Sequence, residues 1–577
     1  MENSAGVAGQ NASSKEIKNC PLAQYHPDLW GDHFLNYTPP PQDIICQEEH
    51  ELDELKKEVR KKLLTTMENP KDKLGFIDAI ERLGVAYHLE EEIRIILQEF
   101  HDNYNQKNDL YDDDLYYVSL RFRLLRQHSF YASGDIFTKF KDGKNSFKDG
   151  LMSRDVQDLL SLYEATYLRV HGEDILEEAL EVTKTKLEEW VPHLAPSVAK
   201  QVLHALSRPM RKALPRMYAR EFMSFYQEDE FHDQVLLKFA KLDFNILQRQ
   251  HLQELSIVSR YTTSSIDLAE RIIWWKKVDV AVNFPFARDR LPECYFWMVG
   301  VYYEPQYALG RKFVTKLGAM TIILDDFFDN VSGIQAELEL FTQAIQRWDI
   351  NAMDGLPKYM KIWFQELLEV YDEMAEELAT IGRSSTVSYA KNAMKDVVKT
   401  YHEESKWLPD YQSKGLAPTM EEYMKIAFDS TTYPMLTMAS FIGMGEIATE
   451  QDFDWLIGKP QMLRAACLIL RFMADIASHQ FEQQRQHIPS AVECMIQANG
   501  LSEEEACREL NKQVEDAWKD LNAAFFDPQS PPMPFLSCVL NFARVAKLLY
   551  KVEDGFTNAI NTKRYLVLLL VDPVQVI

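Results

Sequence analysis

Apolar residues at three-and-four spacing recur along this chain, and no sustained period-two alternation interrupts them. That single pattern restricts the fold to packed amphipathic helices, because a strand buries every second residue and a helix buries a stripe at 3.6-residue spacing. The segment Asp174–Leu194 illustrates it, with Ile175, Leu176, Ala179, Leu180, Leu187 and Trp190 forming one stripe that stops before Pro196. Only 21 Gly and 24 Pro punctuate 577 residues, so long helices are not broken often. A chain of this length exceeds one ordinary core. The expected architecture is all-α in two helical domains, 30–241 and 242–577, behind a Ser/Asn/Gly-rich arm over 1–29. Helical patterning starts near Glu48, and breaks are expected near Gly382–Ser385, Gly415–Pro418 and Asp527–Pro534.

The net charge of -25 argues against nucleic-acid or anionic-membrane partners, and no Lys/Arg block stands out against it. An acidic protein still binds a phosphorylated substrate when divalent cations bridge carboxylates to phosphate oxygens. The seven cysteines contain no CxxC pair and read as reduced thiols. The late apolar run Tyr565–Val571 is too short to span a bilayer, and the first thirty residues lack a secretory or import pattern, so a cytoplasmic protein is expected.

Three constellations carry chemistry. Leu317–Asp329 reads LGAMTIILDDFFD, an apolar helix whose end presents Asp325, Asp326 and Asp329. At about 100° per residue Asp325 and Asp329 share a face, where mutual repulsion favours bound cations. The plainer alternative is an acidic helix end on the surface. Leu468–Glu482 (LILRFMADIASHQFE) places Asp475, Ser478 and Glu482 within roughly 60° of one another, a stripe able to hold a divalent ion. FPFARDRLPECYFW, Phe284–Trp297, sets Arg288 and Arg290 in an aromatic stretch. Guanidinium forks suit diphosphate oxygens, and the alternative is ion pairing with Asp289 and Glu293.

Taken in order, these segments resemble the plant class I terpene synthases, in their cytosolic sesquiterpene branch. RLGVAYHLEEEI (Arg82–Ile93), SLRFRLLRQHSF (Ser119–Phe130), LYEATYLRVHGEDILEEA (Leu162–Ala179), LDFNILQ (Leu242–Gln248) and AIQRWDI (Ala344–Ile350) extend the likeness over nearly the whole chain. The resemblance implies a non-catalytic N-terminal domain and a C-terminal metal-binding domain. It also implies a monomer acting on a prenyl diphosphate, with three Mg2+ ions expected and Mn2+ as an admissible substitute. Asp325, Asp326 and Asp329 would hold two ions; Ser478 and Glu482, with Asp475, would hold the third. Arg288, Arg290 and Arg471 would bind diphosphate. Trp297, Tyr433 and Tyr550 would line an apolar wall beside the polar run Ser430–Thr432, with Asp554 near Tyr550; ordinary core packing is the alternative for each aromatic. Tyr25–Asp32 matches an element that closes over the pocket in that family, and no DxDD motif is present. Asp112–Asp114 reads as a solvated acidic loop.

The chain also departs from that pattern. Ala474 stands where the second metal motif usually begins with Asn or Asp, and Asp475 is turned away from it by about 100°. Tyr261–Ile273 is an extra thirteen-residue stretch, Val331–Gly333 and Gln486 are unusual, and Ala559–Leu566 differs from the usual lid sequence. The alternatives are therefore a catalytically degenerate relative or a monoterpene synthase using geranyl diphosphate. A chain-elongating prenyl synthase is disfavoured by the missing second DDxxD box and by the chain length.

Overall fold

The computed structural model describes residues 25, 28–65, 69–103, 113–141, 146–147, 155–259, 274–330, 335–484 and 487–576. Among them the only regular elements are helices. The N-terminal half opens with α1 (Gln42–Thr65), followed by α2 (Leu115–Gln127), α3 (Val156–Thr166) and α4 (Asp174–Trp190), and α3 packs between α2 and α4. Asp114, expected in a solvated loop, accepts the backbone N–H of Tyr117 at 3.0 Å and pairs with Lys71 at 2.6 Å. It is the cap that starts α2, because a short carboxylate satisfies an otherwise orphaned first-turn donor. Asp112 lies outside the described residues. The next long helix, α5 (Gln234–Val258), runs unbroken through Lys241 and packs along α1.

The second half is assembled around α7 (Ala308–Asn330), which lies against α6 (Leu291–Val301), α8 (Val387–Ser405) and α10 (Tyr433–Gly443). Leu317, Met320, Ile323, Leu324, Phe327 and Phe328 are all buried. Each contributes roughly 1.5–3 kcal/mol relative to exposure, so rotating the acidic end of α7 to solvent would cost on the order of 10 kcal/mol. Gly310 and Gly443 mark the crossing of α7 and α10; a Cβ on Gly443 would stand 2.2 Å from Gly310 Cα. Only glycine fits there. Between α9 (Met420–Ser430) and α10 the chain breaks at Thr432, which adopts a left-handed φ of 64°.

The remaining frame is α11 (Gln461–Glu482), packed on α9, α13 (Glu503–Ala523) and α14 (Met533–Leu549), with α12 (Ala491–Asn499) and α15 (Ala559–Leu566) closing the ends. Ser490 with Glu493 and Ser502 with Glu505 form capping boxes that start α12 and α13. The six described cysteines are free thiols. No helix among the described residues is long and apolar enough to cross a membrane. Tyr261–Ile273, Val331–Gly333 and Gln486 lie outside the described residues.

Candidate active site

A cavity of about 220 Å³ opens where α6, α7, α8, α10 and α11 converge. Its lining includes Asp325 and Asp329 from α7, Ala474, Asp475, Ser478 and Glu482 from α11, and Arg288 and Arg471. Trp297, Phe328, Tyr433, Tyr550 and Phe556 supply aromatic surface to the same space. The α7 carboxylates thus face a cavity rather than the exterior, as the apolar approach to them predicts.

Asp326 behaves differently from its neighbours. It is fully buried, and its Oδ2 accepts the Arg288 backbone N–H at 2.8 Å and Nε at 3.2 Å. Its Oδ1 stands 3.1 Å from Arg288 Nη2 without hydrogen-bond geometry. The expectation that Asp326 is a metal ligand does not match this placement; its carboxylate anchors the arginine that lines the cavity. Burial pushes the Asp326 carboxyl up, with Arg288 opposing it. Arg288 also donates to Asp325 Oδ2 at 2.6 Å.

Arg290 is the second departure. It is buried, absent from the lining, and donates to Phe556 O at 3.1 Å, Thr557 O at 3.0 Å and Asp289 O at 2.7 Å. The guanidinium expected on the diphosphate instead clamps the loop after α14. Asp554 starts that loop turn by accepting the N–H groups of Phe556 and Thr557, both at 2.9 Å. Sequence spacing cannot separate the two arginines, because, the adjacent Asp289 O apart, the partners named here, with Thr557 Oγ1 for Arg288, lie 37 to 269 residues away.

Asp475 is the third. It is 5% exposed, and its Oδ2 takes the Tyr423 hydroxyl and the Ala491 N–H at 2.9 Å. The Asp475, Ser478 and Glu482 stripe therefore divides: Ser478 donates to Glu482 Oε1 at 2.8 Å, while Asp475 is committed to the start of α12. Burial raises the Asp475 carboxyl, against the lowering effect of Arg471. Ala474, Ser478 and Glu482 share the cavity face, spaced at four-residue intervals.

Arg471 donates to Ser430 Oγ at 2.6 Å and lies 3.8 Å from both Glu404 and Asp475. Glu404 and Tyr401, one turn apart on α8, and Tyr423 on α9 also line the cavity, and the sequence reading missed them. The readable signal was the Tyr401/Glu404 pair at helical spacing on an otherwise apolar face. On the opposite wall, Trp297 meets Phe556 edge-on at 5.5 Å and Tyr433 at 6.2 Å. The Tyr433 hydroxyl is bound to Phe542 O at 2.7 Å, which leaves the ring to the wall. The N-terminal element reaches this end as well: the Arg288 guanidinium sits 5.1 Å from the Tyr25 ring, and Trp30 Nε1 donates to Glu293 Oε1 at 3.0 Å.

Among the described residues, no three His, Cys, Asp or Glu side chains converge as a preformed metal centre. Asp325 and Asp329 on one helix and Ser478 and Glu482 on another are hard oxygen donors split across a cavity. That donor set suits a divalent ion completed by waters and substrate phosphate oxygens.

The metal-binding domain of the terpene synthase family matches residues 276–520, and the N-terminal domain of the same family matches 29–206. The chain is 47% identical over 568 residues to (-)-germacrene D synthase of Vitis vinifera, covering 98% of each chain. It is 47% identical over 557 residues to sesquiterpene synthase 2 of Toona sinensis, covering 96% of each. The isoprene synthase of grey poplar leaves (Populus x canescens), solved with three Mg2+ ions and dimethylallyl-S-thiolodiphosphate, superposes with a TM-score of 0.82 at 29% identity, over 92% of this chain and 98% of that one. With both of its domains matched and near-complete coverage by its relatives, the chain belongs to the terpene synthase family.

Proposed function

We propose that this chain is a sesquiterpene synthase that ionises farnesyl diphosphate with Mg2+ and converts the allylic cation into a C15 product. The observation that carries the reading is one cavity lined together by carboxylates, arginines and aromatic side chains. The relative of 47% identity named a sesquiterpene synthase supports the substrate length. Asp325 and Asp329, with Ser478 and Glu482, would hold the divalent ions, three by analogy with the isoprene synthase structure. Mg2+ bound there supplies Lewis-acid charge to the leaving group.

The chain's own groups do the rest. Arg288 and Arg471 receive the diphosphate as the C1–O bond breaks and its electron pair leaves with oxygen. Arg290 acts through the loop it clamps. Trp297, Tyr433, Tyr550, Phe328 and Phe556 turn π faces toward the cation and exclude water from it. The cation is discharged by loss of a proton or capture of one water, and Asp554 and Tyr550 both line the cavity where that happens. The proposed division keeps this chemistry in residues 242–577 and leaves 30–241 as a supporting domain.

The test is incubation of purified protein with Mg2+ and farnesyl or geranyl diphosphate, followed by mass spectrometry of the volatile products. A C15 hydrocarbon or alcohol that disappears in Asp325→Asn supports the reading, and a C10 product from geranyl diphosphate alone would reassign it as a monoterpene synthase. Ala474 favours one competing reading, a folded relative without turnover. That reading predicts no product and no thermal stabilisation by Mg2+ plus diphosphate.

A further inference from the structure

A second cavity, of about 440 Å³, lies between the N-terminal half and the far side of the loop after α14. Its lining carries six cationic side chains, Arg208, Lys212, Arg544, Lys547, Lys551 and Arg564, against one carboxylate, Glu553. In a protein of net charge -25 that concentration is against the grain of the composition. Two of the six are neutralised from outside the lining, Arg208 by Glu221 and Lys212 by Glu515. The other four have no ion-pair partner among the described residues. Arg544 is spent on Arg211 O and Asn541 Oδ1, Lys551 on Ser207 O, and Arg564 on the Tyr565 hydroxyl.

Holding six cations together with few counter-charges is costly, and burial adds to the cost. Burial, and then Lys547, bring Lys212 down to about 7 in spite of Glu515. Burial lowers Lys547 and Lys551; Lys551 adds to the first effect, and Arg208 and Arg564 add to the second. A bound polyanion would relieve each of these repulsions at once, since phosphate oxygens accept several charge-assisted hydrogen bonds in a small volume.

We propose that this interdomain cavity is a binding site for a phosphate-bearing anion, separate from the metal-dependent cavity and independent of Mg2+. The two cavities share one wall. Tyr550, Asp554, Phe556 and Thr557 face the first, whereas Lys551, Val552, Glu553 and Gly555 face the second. An anion held by Lys547, Lys551 and Arg564 therefore braces the loop whose other side lines the catalytic space.

The test is calorimetric titration of the full chain in EDTA with orthophosphate, inorganic diphosphate and farnesyl diphosphate as separate probes. These arms distinguish a free phosphate, the released diphosphate and a prenyl diphosphate headgroup as the source. Saturable binding of at least one probe is expected. Lys547→Gln/Arg564→Gln should weaken it at least tenfold, since two charge-assisted hydrogen bonds are lost. Arg471→Gln, in the first cavity, should leave it unchanged. Because removing mutually repelling cations relieves the fold, the double variant should unfold at or above the wild-type temperature and lose only the anion-induced rise in Tm. The exposed Lys551→Gln serves as an independent variant with the same expected direction. No saturable binding of any probe, equal affinity in the variants, or binding lost in Arg471→Gln alone would overturn the proposal, whatever the outcome of the product assay.

Discussion

Replacing Ala474 with Asp is the sharpest perturbation the site offers. Ala474 lines the cavity on the same face as Ser478 and Glu482, one and two turns upstream. Asp475 cannot take over this role cheaply, because turning its carboxylate inward breaks the bonds to the Tyr423 hydroxyl and the Ala491 N–H. At about 1.5–3 kcal/mol for each hydrogen bond to a charged group, that reorganisation costs roughly 3–6 kcal/mol. A carboxylate at 474 avoids it, and if only half of the smaller figure appears as affinity the gain is about tenfold. The expected result is that Ala474→Asp lowers the Mg2+ concentration for half-maximal turnover by about tenfold or more, with a parallel shift in Mg2+-plus-diphosphate thermal stabilisation. Asp475→Asn should change the Mg2+ requirement far less than Glu482→Gln does. An unchanged Mg2+ dependence in Ala474→Asp, or Asp475→Asn as damaging as Glu482→Gln, would refute the assignment of Asp475 to the α12 terminus.

Three further outcomes are expected. Arg290→Gln removes the charged donors that hold Phe556 O and Thr557 O, so kcat/KM should fall by about tenfold or more while the circular dichroism spectrum is retained. A fall no larger than a few-fold would show that the loop holds itself. Gly443→Ala forces the α7–α10 crossing apart and should destabilise by about 1–3 kcal/mol in urea unfolding. Burial pushes the Glu293 carboxyl up to about 7, so the folded state holds its proton after the unfolded chain has lost it. Wild-type stability should therefore fall as pH rises from about 4.5 to about 7 and level off above, a contribution on the order of 3 kcal/mol. In Glu293→Gln that slope should flatten by about one proton, as read by denaturant midpoints across the interval; an unchanged slope would show that Glu293 is ionised in the fold.

The helical class and the orientation of α7 were legible because they depend on local periodicity and burial. A stretch as apolar as Leu317–Leu324 must be buried, and an abrupt run of carboxylates at its end must then meet a cavity. The division of labour among adjacent residues was not legible. Asp325 and Asp326 look alike in sequence, yet Arg288 arrives from another segment and takes Asp326 out of the cavity. Asp475 was read as a ligand from its angle on α11, but Tyr423 on α9 and the first N–H of α12 reach it first. Proximity in the chain pairs Arg290 with Arg288, whereas its Nε and Nη2 find backbone carbonyls more than 260 residues away. The basic cavity left no signal at all, since its cations come from three short segments, each with an unremarkable local charge.

Two of these features, the Arg290 clamp and the basic cavity, meet on one loop. Arg290 grips it from α6's N-terminal end, Asp554 folds it, and Gly555 lets its backbone approach Leu549 O, to which the Gly555 N–H donates at 3.0 Å. A Cβ at Gly555 would come within 2.8 Å of that carbonyl, so the turn admits little alternative geometry. Phe556, carried by this turn, packs edge-on against Trp297 in the catalytic wall, while Lys551 and Glu553 from the same turn face the cationic cavity. A terpene synthase must shape an apolar surface closely while its substrate carries a concentrated negative charge. Here the loop between Tyr550 and Thr557 touches both, through Phe556 in the wall and through Thr557 Oγ1, which accepts from Arg288 at 3.0 Å, and it is held by backbone-directed bonds as well as by the burial of Phe556. Its position should therefore respond to the electrostatics on either side more readily than any of the helices that surround it.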